Sequence, residues 1–378
     1  MQYVYAFKQC KRANYHVALS YIEDTYKPDL NAAEPPDMQL LAHQREIAVR
    51  YFEAEFSGAE IEENFPDAIQ DVVREALARY EALCEKDQNF LGKQLITATE
   101  KIYDYYLMFL LLLVELARES ERKAEKLRDS NFAPSGSSGS YNFINNALIT
   151  TIRNNEQLKT EAGWKNIHWK EYQSEIRQWY RNLTESDEEF LAYQQLASTK
   201  FDDDKAIVNH LLSLIFTDEA IMQFLEEKDL NWAEDRKVIK GMLKKSIKSI
   251  VPGDTASMEL VELSVNWEED KIFLTDLFKH AAENDDAYEI IIAEHTKNWA
   301  VDRITVVDHI ILKLAIAELI HFPSIPVKVT INEYIDISKN YSTPKSKQFI
   351  NGLIDVMANN LQREGKVKKS GRGLIDNR

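Results

Sequence analysis

At 378 residues the chain is long enough for two or three domains with sizeable cores, and 44% apolar with 29% charged residues place it among globular rather than disordered sequences. A formal net charge of -16 argues against a general nucleic-acid coat. Its two cysteines, Cys10 and Cys84, provide neither a disulfide framework nor a CxxC metal pattern, which points to a reducing, cytoplasmic setting.

Only 11 Gly and 9 Pro interrupt long amphipathic stretches, so an all-α chain is expected. Residues 1–23 read as the first helix, with Val4, Phe7, Val17 and Tyr21 at helical spacing. "MQYVYAF" opens in mid-pattern without a cap, and a free ammonium there opposes the helix dipole, so the natural chain is expected to begin upstream of Met1. Lys27–Met38 is a proline-bearing linker, followed by helical patterns at 39–57, 62–86 and 90–128. The apolar run Tyr105–Val114 is too short for a membrane span of about 20 residues and reads as a buried helix. No signal-peptide pattern precedes it. Ser130–Asn142, "SNFAPSGSSGSYN", reads as a flexible loop, and more helix follows to about Ser198.

An internal repeat comes next. Asp204 and Asp270 each open a segment beginning Asp-Lys, and each segment carries NWAxDR, at Asn231–Arg236 and Asn298–Arg303. Two copies of a three-helix unit are expected, the first within 199–253. Ile304–Ile320 is apolar on most sides and reads as a central helix. Pro323 and Pro326 end it, with Pro326 placed to start a helix to about Asn340. Thr343 followed by Pro344 is an N-cap signature for a last helix. Its buried stripe is Phe349/Ile350, Leu353/Ile354, Met357 and Leu361, and Gly352 suggests close packing. From Pro323 onward ten Lys/Arg face five Asp/Glu, a basic end on an acidic body. Residues 363–378 read as a basic flexible tail.

The segment "VDRITVVDHIILKLAIAELIHFPSIPVKVTINEYIDISKNYSTPKSKQFINGLID" closely resembles the C-terminal half of the NusB family of transcription antitermination factors. The residues that carry the resemblance are Asp308, Ile311–Lys313, Glu318–Leu319, Pro326, Val329–Glu333, Ser346 and Phe349–Gly352. "MQYVYAF" resembles the end of that family's first helix, with Gln2 and Tyr5 on its Gln-x-x-Tyr. The resemblance implies a pair of three-helix bundles, built here from residues 1–23 and 266–362 with a large helical insertion, 24–198 and the repeat-like 199–253, between them.

The resemblance implies no enzymatic chemistry, no cofactor and no metal. It implies binding of boxA-like single-stranded RNA together with a NusE-type small-subunit ribosomal protein, in an RNA polymerase elongation complex, with no membrane. Single-strand recognition stacks bases on aromatics and meets phosphates with cations. Carried over residue by residue, the RNA side takes Gln2, Tyr5, Lys313, Lys345, Ser346, Gln348 and Phe349, and the protein-partner side takes Asp308 and Glu318. Lys313 stands where the family usually has Arg and Lys345 where it often has an acid, and the family's Arg-rich arm before the first helix is absent here. For Phe349 a plain core position remains open, and for Asp308 an ordinary solvated position or an intrahelical pair with Lys313. His309 and His321 lack companions at metal-ligand spacing and read as structural. A helical scaffold that has lost RNA binding is the alternative. A methyltransferase carrying this module would need a Gly-rich cofactor loop and a suitably placed catalytic cysteine, neither of which is found.

Overall fold

The structure, a computed structural model, describes residues 1–29, 35–59, 65–129, 142–253, 258–296 and 304–375; the side chains of 127–129, 344, 345, 347 and 348 lie outside that description. The expected loop at 130–141 and the second NWAxDR segment, Asn298–Arg303, therefore fall outside the described residues, as does the middle of the Lys27–Met38 linker. Every regular element among the described residues is helical. They are α1 (Gln2–Thr25), α2 (Met38–Ser57), α3 (Asp67–Asp129), α4 (Ala147–Asn154), α5 (Glu156–Trp164), α6 (Gln173–Thr184), α7 (Glu188–Gln195), α8 (Phe201–Ile215), α9 (Glu219–Lys228) and α10 (Trp232–Ser249), then α11 (Trp267–Glu283), α12 (Asp285–Thr296), α13 (Val306–His321), α14 (Val327–Tyr341) and α15 (Pro344–Arg363).

The chain divides into two compact units, residues 1–96 with 268–378 and residues 97–267. Residues 24–96, expected in the insertion, thus belong to the first unit, and the repeat-like 199–253 to the second.

The first unit holds two apolar clusters. The larger joins Val4 and Phe7 of α1 to Leu91 and Leu95 of α3 and to the inner faces of α11–α15. α13 is its axis: every residue from Ile310 to Leu319 is buried, as its nearly continuous apolar run predicts. The smaller cluster packs Ala18 and Ile22 of α1 against Ala48 and Phe52 of α2 and Ile69, Val73 and Ala76 of α3. Pro326 caps α14, and Thr343 caps α15 with Pro344 in its first turn, as the sequence predicts. In α15 the stripe Ile350, Leu353, Ile354, Met357 and Leu361 is buried, while Phe349 is half-buried.

The second unit packs α4–α10 around the later half of α3, where Tyr106–Leu107, Phe109–Leu110 and Leu112–Val114 are buried. No helix among the described residues is long and apolar enough to cross a membrane.

Three expectations change. The expected break near residue 88 does not occur, because Lys86–Gln88 contains no breaker, and Gly92 sits against Phe278 within one continuous helix. Gly352 faces open space rather than a neighbouring helix. The tail is not free along its described length. Val367 enters the larger core, Lys369 Nζ donates to the Phe322 carbonyl (3.0 Å), and the Ser370 amide donates to that of Pro323 (2.9 Å).

Candidate functional site

The polar turn between α14 and α15 is made by two extended residues, Ser342 and Thr343. Thr343 Oγ1 accepts from the Ser346 amide (3.2 Å) and lies 2.9 Å from Ser346 Oγ, which fixes the first turn of α15. Ser346, placed on the RNA side by the resemblance, is therefore buried in that cap. Ser342 Oγ donates to Asp308 Oδ1, tying the turn to the start of α13.

Asp308 is 0% exposed and does not face a partner. It forms a reciprocal cap with Thr305: the Thr305 amide donates to Asp308 Oδ2 (3.0 Å), and the Asp308 amide to Thr305 Oγ1 (3.2 Å). Its role here is to position the turn. The signal was present in the sequence, because Thr-Val-Val-Asp before an apolar run is a capping-box signature.

Lys313 is likewise no surface cation. It is 2% exposed, with Nζ 2.6 Å from Asp285 Oδ1 and 2.7 Å from Glu289 Oε2 of α12. Burial pulls its pKa down, but hydrogen bonding and the charges of the two carboxylates outweigh this and hold it above its ordinary value. Burial acts to raise the Glu289 carboxyl, and the bond and charge of Lys313 bring it below the usual range. His309 Nδ1 lies 3.1 Å from the same carboxylate.

Glu318, 5% exposed, accepts from Thr330 Oγ1 (2.7 Å) and the Tyr334 hydroxyl (3.1 Å), joining α13 to α14 rather than to another protein. Burial pushes its carboxyl up, against the two hydrogen bonds. A charged residue inside a continuous apolar run was the available clue for both Lys313 and Glu318.

The surface residues lie elsewhere. Gln2 and Tyr5 stand on the outer face of α1, Tyr5 47% exposed, opposite the buried Val4 and Phe7. Lys345 and Gln348 fall in the first two turns of α15, and their side chains lie outside the described atoms. Phe349 packs partly against the core. Asn332, Glu333 and Asn351 are exposed and make no side-chain hydrogen bond among the described residues. His321 stacks on His280 with ring centroids 3.8 Å apart, and its Nε2 lies 3.0 Å from the Tyr288 hydroxyl. Among the described residues no group of three or more His, Cys, Asp or Glu could hold a metal ion.

What results is an all-α protein with a hydrogen-bonded polar turn at the N-terminus of its last long helix. The NusB family model matches residues 219–359, a stretch that takes in α9, α10 and their NWAEDR segment as well as α11–α14 and most of α15. The transcription antitermination protein NusB of Chloroherpeton thalassium is 39% identical over 106 residues, covering 28% of this chain and 50% of that protein. Its namesake in Salinibacter ruber is 40% identical over 103 residues, 27% of this chain and 64% of that protein. The one in Koribacter versatilis is 40% identical over 101 residues, 27% of this chain and 69% of that protein. The chain belongs to the NusB family. It spans 50% to 69% of the length of these relatives. No solved structure matches it.

Proposed function

We propose that this protein is a transcription antitermination factor that holds boxA-like single-stranded RNA with a NusE-type ribosomal protein, within an RNA polymerase elongation complex. The observation that carries this reading is the turn before α15. It is fixed from two sides, by the Thr343 cap and by the Asp308–Ser342 hydrogen bond, and it opens a helix N-terminus where unpaired amides favour phosphate. Lys345, Gln348 and the partly exposed Phe349 supply the residue types that single-strand binding uses, and Gln2 and Tyr5 add an amide and a ring on α1. Asn332, Glu333 and Asn351 are exposed polar groups left for a protein partner. Residues 97–267 form a compact unit with its own core, whose last part, from Glu219 on, lies within the stretch that the family model matches.

The test is binding of boxA-like RNA by the full chain, with and without the ribosomal protein, over a salt series. Cooperative binding that weakens with salt and in Lys345→Glu supports antitermination. Partner binding with no RNA signal means a scaffold that kept the fold and lost its RNA.

A further inference from the structure

We infer that α10, in the second unit, carries a second, sequence-independent RNA-binding surface that grips the phosphate backbone. This deepens the RNA reading above while standing on residues outside the turn before α15.

α10 has two opposed faces. Ile239, Met242, Leu243, Ser246 and Ile247 are buried. On the other side Lys237, Lys244 and Lys248 stand exposed within a narrow arc, at helical spacing. Lys245 and the half-buried Lys240 flank them, and Arg236 precedes them. From Lys237 to Lys248 the stripe runs roughly 16 Å at 1.5 Å per residue. Gly241 lies in the same arc with nothing within 4 Å of where its Cβ would stand, so a backbone can approach the helix there.

The charge pattern distinguishes this face from an ordinary solvated one. The chain has 62 acidic against 46 basic residues, and several of its exposed cations elsewhere pair with a carboxylate one turn away, as in Arg74–Asp71, Arg79–Glu75 and Lys159–Glu156. On α10 the acids, Glu234 and Asp235, sit in the first turn, and none occurs from Arg236 to Gly253. Among the described residues none of the six cations forms an ion pair; Lys240 lies over the Phe216 ring, 5.3 Å from its centroid. Two or three lysines at the helix C-terminus would satisfy the dipole. Six on one helix, unpaired in an acidic protein, form a local positive field complementary to a polyanion.

The repeat explains why the face is open. With the two NWAxDR segments superposed in sequence, Lys244, Lys245 and Lys248 fall at the positions of Ile311, Leu312 and Ala315, buried residues of α13. α13 is covered by α14 and α15, whereas among the described residues the chain after α10 forms no further helix until α11. The uncovered face has exchanged an apolar surface for cations rather than for a mixed polar one.

The test uses the full chain and two labelled RNAs of about 40 nucleotides, one boxA-like and one oligo-uridine, titrated over a salt series. The triple variant Lys237→Glu/Lys244→Glu/Lys248→Glu should weaken both RNAs about ten-fold and flatten the log–log salt slope by roughly 2, at about 0.7 per lost contact on a single strand. The neutral triple Lys→Gln should move both in the same direction by less, and circular dichroism should show both variants folded. Lys345→Glu should weaken the boxA-like RNA alone. If the triple leaves affinity and slope unchanged while Lys345→Glu weakens boxA binding, the α10 surface is refuted and the antitermination reading stands. If the triple acts and Lys345→Glu does not, the reverse holds. Wild-type chain that binds neither RNA refutes both. An effect of the triple on anionic phospholipid vesicles without one on RNA refutes the inference in favour of a membrane surface.

Discussion

Asp308 accepts a hydrogen bond from Ser342 across 34 positions of sequence, joining the buried start of α13 to the turn that opens α15. One carboxylate therefore caps one helix and aims the N-terminus of another. Ser342→Ala removes the tie and leaves the Thr305 cap, so it should cost about 1–2 kcal/mol, the loss of a hydrogen bond to a buried charged acceptor. Asp308→Ala removes both and should cost more. Hydrogen exchange of the Ser346 and Lys347 amides reads the effect directly. Exchange should quicken in both variants, and RNA affinity should fall several-fold in Ser342→Ala. Unchanged protection would mean that the Thr343 cap alone holds the turn.

Lys313 supplies the opposite kind of contribution, to stability rather than to a surface. Lys313→Ala leaves Asp285 and Glu289 without their shared cation and should destabilise the first unit by about 3 kcal/mol, in the range for breaking a buried pair. RNA affinity per folded molecule should stay within about two-fold of wild type, since no phosphate contact is lost. The sign of the pH dependence follows from the pKa directions. A lysine held above 10.5 stabilises fully below that pH, and its contribution disappears as pH rises through the folded value. A Glu289 held below 4.5 stabilises above that pH, and its contribution disappears as pH falls through the folded value. Urea unfolding of wild type and variant should therefore differ most across the neutral range and converge at both extremes. A gap that does not change with pH would refute the ion-pair account.

The α13–α15 core was legible in the sequence because its signals are local: a run of apolar residues, Pro326, and Thr343 before Pro344. What the sequence hid was which polar residues of that core face inward. Lys313 meets Asp285 and Glu289, 28 and 24 positions away on another helix, and no spacing rule links them. Thr305 and Asp308 did announce a cap, but the resemblance drew attention to the outward role of the same aspartate. α3 reads in the sequence as two helical patterns, 62–86 and 90–128, where the structure has one. Along its length it changes packing partners, from α1 and α2 to α11 and then to the core of the second unit, and burial by successive partners sustains one helix where a single face could not.

His321 should titrate below its ordinary 6.5, because burial and, after it, the stacked His280 both disfavour its charged form. A base depressed in the folded state costs stability as pH falls from 6.5 toward the folded value, since the unfolded chain takes up the proton first. The groups around it are His280 of α11 and the Tyr288 hydroxyl of α12. Proton NMR titration should place His321 below 6.5 in wild type and move it only part of the way back in His280→Leu, burial being the larger cause. Complete return to 6.5 would reverse that ranking.

The described tail makes a closer contact than its composition suggests, and Gly373 is where it can be broken. A Cβ built there would stand 2.2 Å from the Pro323 carbonyl oxygen, a backbone atom held by the end of α13, so the tail and not the turn must move. Gly373→Ala should lift residues 369–375 away, losing the Lys369–Phe322 and Ser370–Pro323 hydrogen bonds while Val367 stays anchored in the core. The cost should be about 1–2 kcal/mol, typical of overpacking and lost hydrogen bonds. Limited trypsin digestion gives the readout, because the Arg372 side chain is exposed but the backbone on either side of it is held against the Phe322–Pro323 corner, and a protease needs that backbone free. Cleavage at Arg372 should be several-fold faster in Gly373→Ala than in wild type, and no faster in Gly352→Ala, where nothing stands within 4 Å of the added Cβ. Equal rates in Gly373→Ala and wild type would show that this corner does not hold the tail.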